Sequence, residues 1–143
     1  MSGWVNLGVS EYVKRMPRSM PLTIIEVPSV HRPGDGQSKR LEGIQLLKKV
    51  GVDDLVVALD IEGKQTDSLG LGKLFEHWSS LGRDVSFLIG GADGLDDDCL
   101  QRADKRMSLS ALTLPHGIAR LVLAEQLYRA WSIQVGHPYH TGH

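Results

Sequence analysis

Hydrophobic positions change period several times along this chain, and each change marks an element. Val5, Val9, Tyr12, Val13 and Met16 recur about every 3.6 residues, which predicts a helix over residues 4–16 that Pro17 ends. The β-branched run Leu22-Thr23-Ile24-Ile25-Glu26-Val27 predicts a strand closed by Pro28. Residues 29–37 read as a loop, with Pro33, Gly34 and Gly36 as breakers and His31 and Arg32 as a cationic tip. Ser38 is placed to cap a helix running to about Val50, with Leu41, Ile44 and Leu47 inward and Gly51 as its stop. Residues 55–60 are almost continuously apolar, as in a parallel strand buried on both faces.

The same grammar repeats downstream. Residues 61–65 read as a loop, and Ser68 as the cap of a helix that turns Leu71, Leu74, Phe75, Trp78 and Leu81 inward before Gly82. Val85 to Ile89 is a second buried strand, and Gly90-Gly91-Ala92-Asp93-Gly94 a glycine-rich turn. A helix follows from Leu95 to about Arg106, its first turn carrying Asp96, Asp97 and Asp98 where negative charge suits the dipole. Residues 108–114 read as a short strand stopped by Pro115, and residues 117–131 as a helix. That helix has no broad polar face. Ile118, Leu121, Val122 and Leu127 fall on one side and Leu123, Ala130 and Trp131 elsewhere, so it is covered on more than one side. Its polar exceptions are therefore informative: His116, Arg120, Glu125, Gln126, Tyr128 and Arg129.

Alternating strands and helices predict an α/β fold with a mainly parallel sheet. A length of 143 residues with no linker predicts one domain spanning residues 1–143. Hydrophobic residues at 41% and charged residues at 23% describe a soluble globular chain. No apolar run approaches the roughly 18 residues of a membrane span, and the first residues have no signal-peptide pattern. The single cysteine, Cys99, leaves no internal disulfide framework and fits a cytoplasmic location. A net charge of −1 argues against a protein that coats nucleic acid indiscriminately, while leaving room for an enzyme that meets a structured RNA through a local patch.

Ligands of open α/β sheets bind beyond the carboxyl ends of the strands, which here means the loops after Asp60, after Ile89 and at residues 112–116. The Gly90–Gly94 segment reads either as a plain strand-to-helix turn or as a place where backbone approaches a ligand. It is no dinucleotide fingerprint, and the aspartates after it repel a pyrophosphate. A cationic nucleoside-like ligand such as S-adenosylmethionine suits those carboxylates better. His116 reads as a helix cap, as a carbonyl partner or as a substrate contact. Glu125 and Arg129 form either an ordinary i,i+4 surface pair or, with Arg120, a set facing a partner or substrate. The tail holds His137, His140 and His143, too few and too evenly spaced for a structural zinc site; with Tyr139 they can instead supply proton transfer and base stacking.

Five ordered blocks then carry a resemblance: Leu59-Asp60-Ile61-Glu62-Gly63-Lys64; residues 86–94 (SFLIGGADG); residues 108–116 (SLSALTLPH); residues 125–130 (EQLYRA); and Pro138-Tyr139-His140. Together they resemble the ribosomal RNA large subunit methyltransferase H family, SPOUT-class enzymes with a C-terminal trefoil knot, over residues 4–140. The resemblance implies methylation, from S-adenosylmethionine, of N3 of a pseudouridine in bacterial 23S ribosomal RNA within the assembled ribosome, with no metal. It implies cofactor contacts from Leu59, Gly90, Leu109, Ser110, Ala111, Leu112, Thr113 and Leu114. It implies a homodimer with the knot helix at the interface and each active site drawing on both subunits, so that disrupting the dimer also disables binding. His140 and Tyr139 are the first candidates for proton removal, with His116, Arg120 and Arg129 on the substrate side.

Two departures accompany the resemblance. The family usually opens with a strand ahead of the helix that here starts near Trp4, and this strand is missing. The family tail usually carries Lys or Arg after Pro-Tyr-His, where this chain has Thr141, Gly142 and His143. They define the alternative function: a knot-fold RNA- or ribosome-binding protein with weak or no methyl transfer. An unrelated nucleotide-binding module is disfavoured by the lack of a phosphate-binding motif.

Overall fold

The computed structural model describes residues 3–25, 37–91 and 94–142. In chain order these form helices α1 (Gly3–Arg15) and α2 (Gln37–Lys48), strand β1 (Leu55–Gln65), helix α3 (Ser68–Ser80), strand β2 (Val85–Ile89), helix α4 (Asp97–Arg102), strand β3 (Lys105–Ser108), helix α5 (His116–Val135) and a closing 3₁₀ turn (Pro138–Gly142). The α/β class and the parallel sheet expected from the sequence are present. The chain divides into two compact units. The first comprises Met1–Ile24, Thr66–Gly82 and Gly117–His143; the second comprises Ile25–Gln65 and Arg83–His116.

The second unit holds the sheet, in the order β2-β1-β3, with β1 parallel to both neighbours. β1 is central because its first half can be buried on both faces: Val56, Val57 and Ala58 have no solvent exposure. Val56 and Ala58 share a core with Leu88, Leu95 and Cys99, against which Leu46, Leu47, Val50, Leu100 and Ala103 pack. Both Leu59 and Lys64 stand opposite Met107, so the residues between them bulge out of the ladder. The Cys99 thiol is buried in this core, and burial above all, with Asp96 second, pushes its pKa up to about 12.

The first unit is helical. α5 forms its axis, and no residue from Gly117 to Ile133 is exposed. α1 packs closely on α5 at Gly8, where an added Cβ would lie 3.0 Å from a methyl of Leu121. α3 lies along it at Gly72, beside Ile133. The apolar surface all round α5 is thus covered in part by α1 and α3 of the same chain.

Several sequence expectations need correction. Residues 22–25 make no strand among the described residues, and Thr23, Ile24 and Ile25 are exposed; β-propensity without a partner does not make a ladder. Residues 61–65 continue β1 and are not a loop, since pairing with β3 resumes at Lys64 and Gln65. Residues 109–114 are not a strand; the ladder stops at Ser108, and β3 begins at Lys105, where the sequence pattern predicts the end of a longer α4. The cap of α3 is Asp67, whose side chain accepts from the Gly70 N–H at 2.7 Å, which leaves the Ser68 hydroxyl available elsewhere. The expected loop at residues 29–36 lies outside the described residues.

Candidate active-site elements

In the sheet unit, chemistry gathers at the carboxyl ends of β1, β2 and β3. Leu59 sits in β1 opposite both Ile89 and Met107. Immediately after β2, Gly91 and Gly94 pair with each other, the Gly94 N–H donating to the Gly91 carbonyl at 3.0 Å. Gly90 has no room for a side chain: an added Cβ would run into the Gly94 carbonyl and lie 2.7 Å from the Leu95 nitrogen. The turn is therefore fixed by backbone against backbone.

His116, the first residue of α5, donates from Nδ1 to the Gly90 carbonyl at 2.9 Å, because a carbonyl oxygen can only accept. This is the carbonyl-partner reading of His116, and it ties the Gly90 turn to the end of the 109–115 loop. The His116 ring remains exposed. Sequence reasoning missed Glu42. This α2 residue lies beside Gly91, where an added Cβ would lie 2.9 Å from its Oε2. Nothing local in the sequence marks it, since it reads as one more polar position on a helix.

The 109–114 segment is uncharged and is held from inside. The Ser108 hydroxyl donates to the Ser110 carbonyl at 2.8 Å, and the Leu112 N–H donates to the Ser110 hydroxyl at 3.0 Å. Leu109, Ser110 and Leu114 are half-buried, and Ala111, Leu112 and Thr113 are exposed. Leu112, at 73% exposure, is a large apolar side chain that the fold leaves uncovered.

In the helical unit the site residues form one connected network. The Arg129 guanidinium places Nε 2.8 Å and a terminal nitrogen 2.7 Å from Glu125 Oε1, and the other Glu125 oxygen accepts from Gln126 at 3.2 Å. Gln126 in turn accepts from the freed Ser68 hydroxyl at 2.7 Å. Arg129 and Glu125 have only 16% and 19% of their side-chain surface exposed, so water and salt screen the pair less than an ordinary i,i+4 pair. The hydrogen bond that Arg129 donates to Glu125 holds the Arg129 pKa above its ordinary value.

Arg129 also lies over the Tyr139 ring, 5.2 Å from its centroid. The Tyr139 hydroxyl meets that of Tyr12 on α1 at 3.0 Å, and its ring stands edge-on to Tyr128 with centroids 4.7 Å apart. Burial first, and then the Tyr12 hydrogen bond, push the Tyr139 pKa well above the ordinary phenol value, so it stays protonated at neutral pH.

The tail reaches this network because α5 ends cleanly. Gly136 takes a positive φ of 74°, and the His137 N–H reaches back to the Ser132 carbonyl at 2.9 Å, which turns the chain out of the helix. Tyr139 and His140 follow in the 3₁₀ turn. His140 Nδ1 lies 3.2 Å from the hydroxyl of Ser132, a fully buried residue that sequence reasoning also passed over. The signal was present as a lone polar position among Ala130, Trp131 and Ile133.

Arg120 is placed differently from expectation. It is 6% exposed and donates to the Asn6 side chain of α1 at 2.7 Å, so it ties α1 to α5. Arg129, Tyr139 and His140 come together in the helical unit; Leu59, Gly90, residues 109–114 and His116 belong to the sheet unit. No group of three His, Cys, Asp or Glu side chains suited to a metal occurs among the described residues, and His143 lies outside them.

Residues 1–140 match the family described as Predicted SPOUT methyltransferase. The chain is 51% identical over 143 residues to the Ribosomal RNA large subunit methyltransferase H of Hahella chejuensis, covering 98% of this chain and 92% of the relative. It is 47% identical over 144 residues to the protein of the same name from Alkalilimnicola ehrlichii, again covering 98% and 92%. The chain belongs to the SPOUT methyltransferase family and is a methyltransferase, and that family implies a knotted fold.

Proposed function

From membership of that family, we propose that the protein methylates N3 of a pseudouridine in 23S ribosomal RNA within the assembled ribosome, with S-adenosylmethionine as donor. The observation that carries this reading is near full-length identity with relatives named Ribosomal RNA large subunit methyltransferase H. One domain spanning the chain performs the reaction.

The sheet-unit residues suit the donor. Residues 109–114 offer mainly backbone groups to an uncharged ring. The Gly90–Gly94 turn lets main chain approach closely, and the Glu42 carboxylate beside Gly91 favours a cation over a phosphate. Leu59, Gly90 and Leu109 through Leu114 form the cofactor set. When bound, S-adenosylmethionine supplies a methyl group already activated by its sulfonium charge.

What remains for the protein is alignment and removal of the N3 proton. Tyr139 stays a phenol and serves as a hydrogen-bonding and stacking group. That leaves His140 as the proton acceptor and Arg129 as the fixed positive charge facing the RNA, with His116 contacting substrate on the cofactor side. The homodimer reading is supported by α1, which exposes Trp4 and Leu7 three residues apart on a helix.

Methyl transfer to ribosomes from a strain lacking the modification, read by mass spectrometry of the nucleosides, tests the reading. The expected product is an N3-methylated pseudouridine. Absence of transfer by the folded protein removes the enzyme in favour of the RNA-binding alternative.

A further inference from the structure

Ser132 is completely buried in the last turns of α5, and its hydroxyl has two neighbours: the Arg129 carbonyl at 2.7 Å and His140 Nδ1 at 3.2 Å. A hydroxyl has one hydrogen to give. The carbonyl can only accept, and it is the nearer partner, so the hydrogen lies there. The Ser132 oxygen then faces His140 with a lone pair, and the hydrogen between them has to come from Nδ1. A neutral imidazole protonated at Nδ1 keeps its free lone pair on Nε2. Among the described residues, no hydrogen-bond partner occupies that nitrogen.

His137, three residues earlier, is set the opposite way. Its Nδ1 lies 3.1 Å from the Tyr139 backbone N–H. A backbone N–H can only donate, so this Nδ1 carries the lone pair and the ring hydrogen is on Nε2. Protonating His137 would cost the bond that shapes the tail. Protonating His140 at Nε2 would cost nothing, because Nδ1–H still donates to Ser132 in the cation.

We propose that Ser132 is a positioning residue that fixes His140 as the Nδ1–H tautomer and leaves Nε2 to take the N3 proton of the substrate. The assignment rests on the methyltransferase reading for its purpose, though not for its geometry. In the step itself, the N3–H bond breaks, its hydrogen passes as a proton to Nε2, and the electron pair stays on N3 to form the bond to the methyl group as that methyl's bond to the donor sulfonium breaks, its pair going to sulfur to leave a neutral thioether. The ring need not turn, since the same Nδ1–H bond holds it before and after.

Long-range proton–nitrogen NMR of the histidine rings in the full chain, at a pH about 8.5 and so above the ordinary imidazole range, tests it without any variant. The expected pattern is Nδ1–H at His140 and Nε2–H at His137; Nε2–H at His140 overturns the proposal. Ser132→Ala then removes the acceptor. His140 is expected to become a mixture of tautomers, and kcat to fall about tenfold, the worth of one hydrogen bond, with KM for ribosomes unchanged. An unchanged tautomer in Ser132→Ala, or an altered tautomer with wild-type kcat, also overturns it. If wild-type protein transfers no methyl group at all, the proposed function fails, and the NMR pattern still decides the tautomer assignment.

Discussion

The 109–114 loop and the last turns of α5 with the tail are ordered by different means. In the loop the ordering contacts are local and largely main chain: Ser108 to the Ser110 carbonyl, and the Leu112 N–H to the Ser110 hydroxyl. Its side chains are small or apolar and several face solvent. At the end of α5 the contacts are between side chains, on neighbouring turns of the helix and from remote segments, from Ser68 through Gln126, Glu125 and Arg129 to Tyr139 and Tyr12. A loop that binds through main chain tolerates changes of side chain. A network of side chains does not, because each member fixes the next.

That contrast breaks first at Gly90, a sheet-unit position where main chain leaves no room. Gly90→Ala forces a Cβ into the Gly94 carbonyl. We expect a loss of about 3 kcal/mol in thermal or denaturant unfolding, with loss of S-adenosylmethionine binding in calorimetry. Tyr12→Phe sharpens the other side. It removes one hydroxyl from the network and should lower methyl transfer about fivefold, the worth of about 1 kcal/mol, with cofactor affinity unchanged.

Leu112→Ala should do little, within about 0.5 kcal/mol in both stability and cofactor affinity, as for an exposed substitution. A large loss of affinity would show that the loop binds through its side chains after all. The smallest effect expected is at Cys99. Its raised pKa means that the folded state favours the thiol, so this stabilisation is complete below pH 9.0 and lost as pH rises toward about 12. Stability plotted against pH should therefore run parallel for Cys99→Ala and wild type below that window and fall more steeply for wild type within it.

The same contrast explains what could be read from the sequence. Val56, Val57 and Ala58 announce a doubly buried strand because burial on both faces demands an unbroken apolar run. α5 announces cover on several sides because no polar stripe interrupts it, and the fold supplies that cover through Gly8 and Gly72. The quoted motifs located the Gly90 turn and the tail. What failed depended on partners remote in sequence. Residues 22–25 have strand composition but no ladder, and residues 109–114 are mostly apolar although Ala111, Leu112 and Thr113 are exposed. Asp67 took the cap from Ser68, which freed that hydroxyl for Gln126. Ser132 escaped notice because a lone serine in a helix commonly does no more than bond its own preceding turn.

The central claim is that the sheet unit holds the donor while His140 takes the proton, and His140→Ala separates the two most directly. Calorimetry with S-adenosylmethionine and single-turnover methyl transfer to unmodified ribosomes would be run on the same preparation. The account predicts unchanged cofactor affinity and transfer slowed about a hundredfold, as for loss of a general base. Transfer at the wild-type rate, or transfer and affinity falling together in a folded variant, would contradict it.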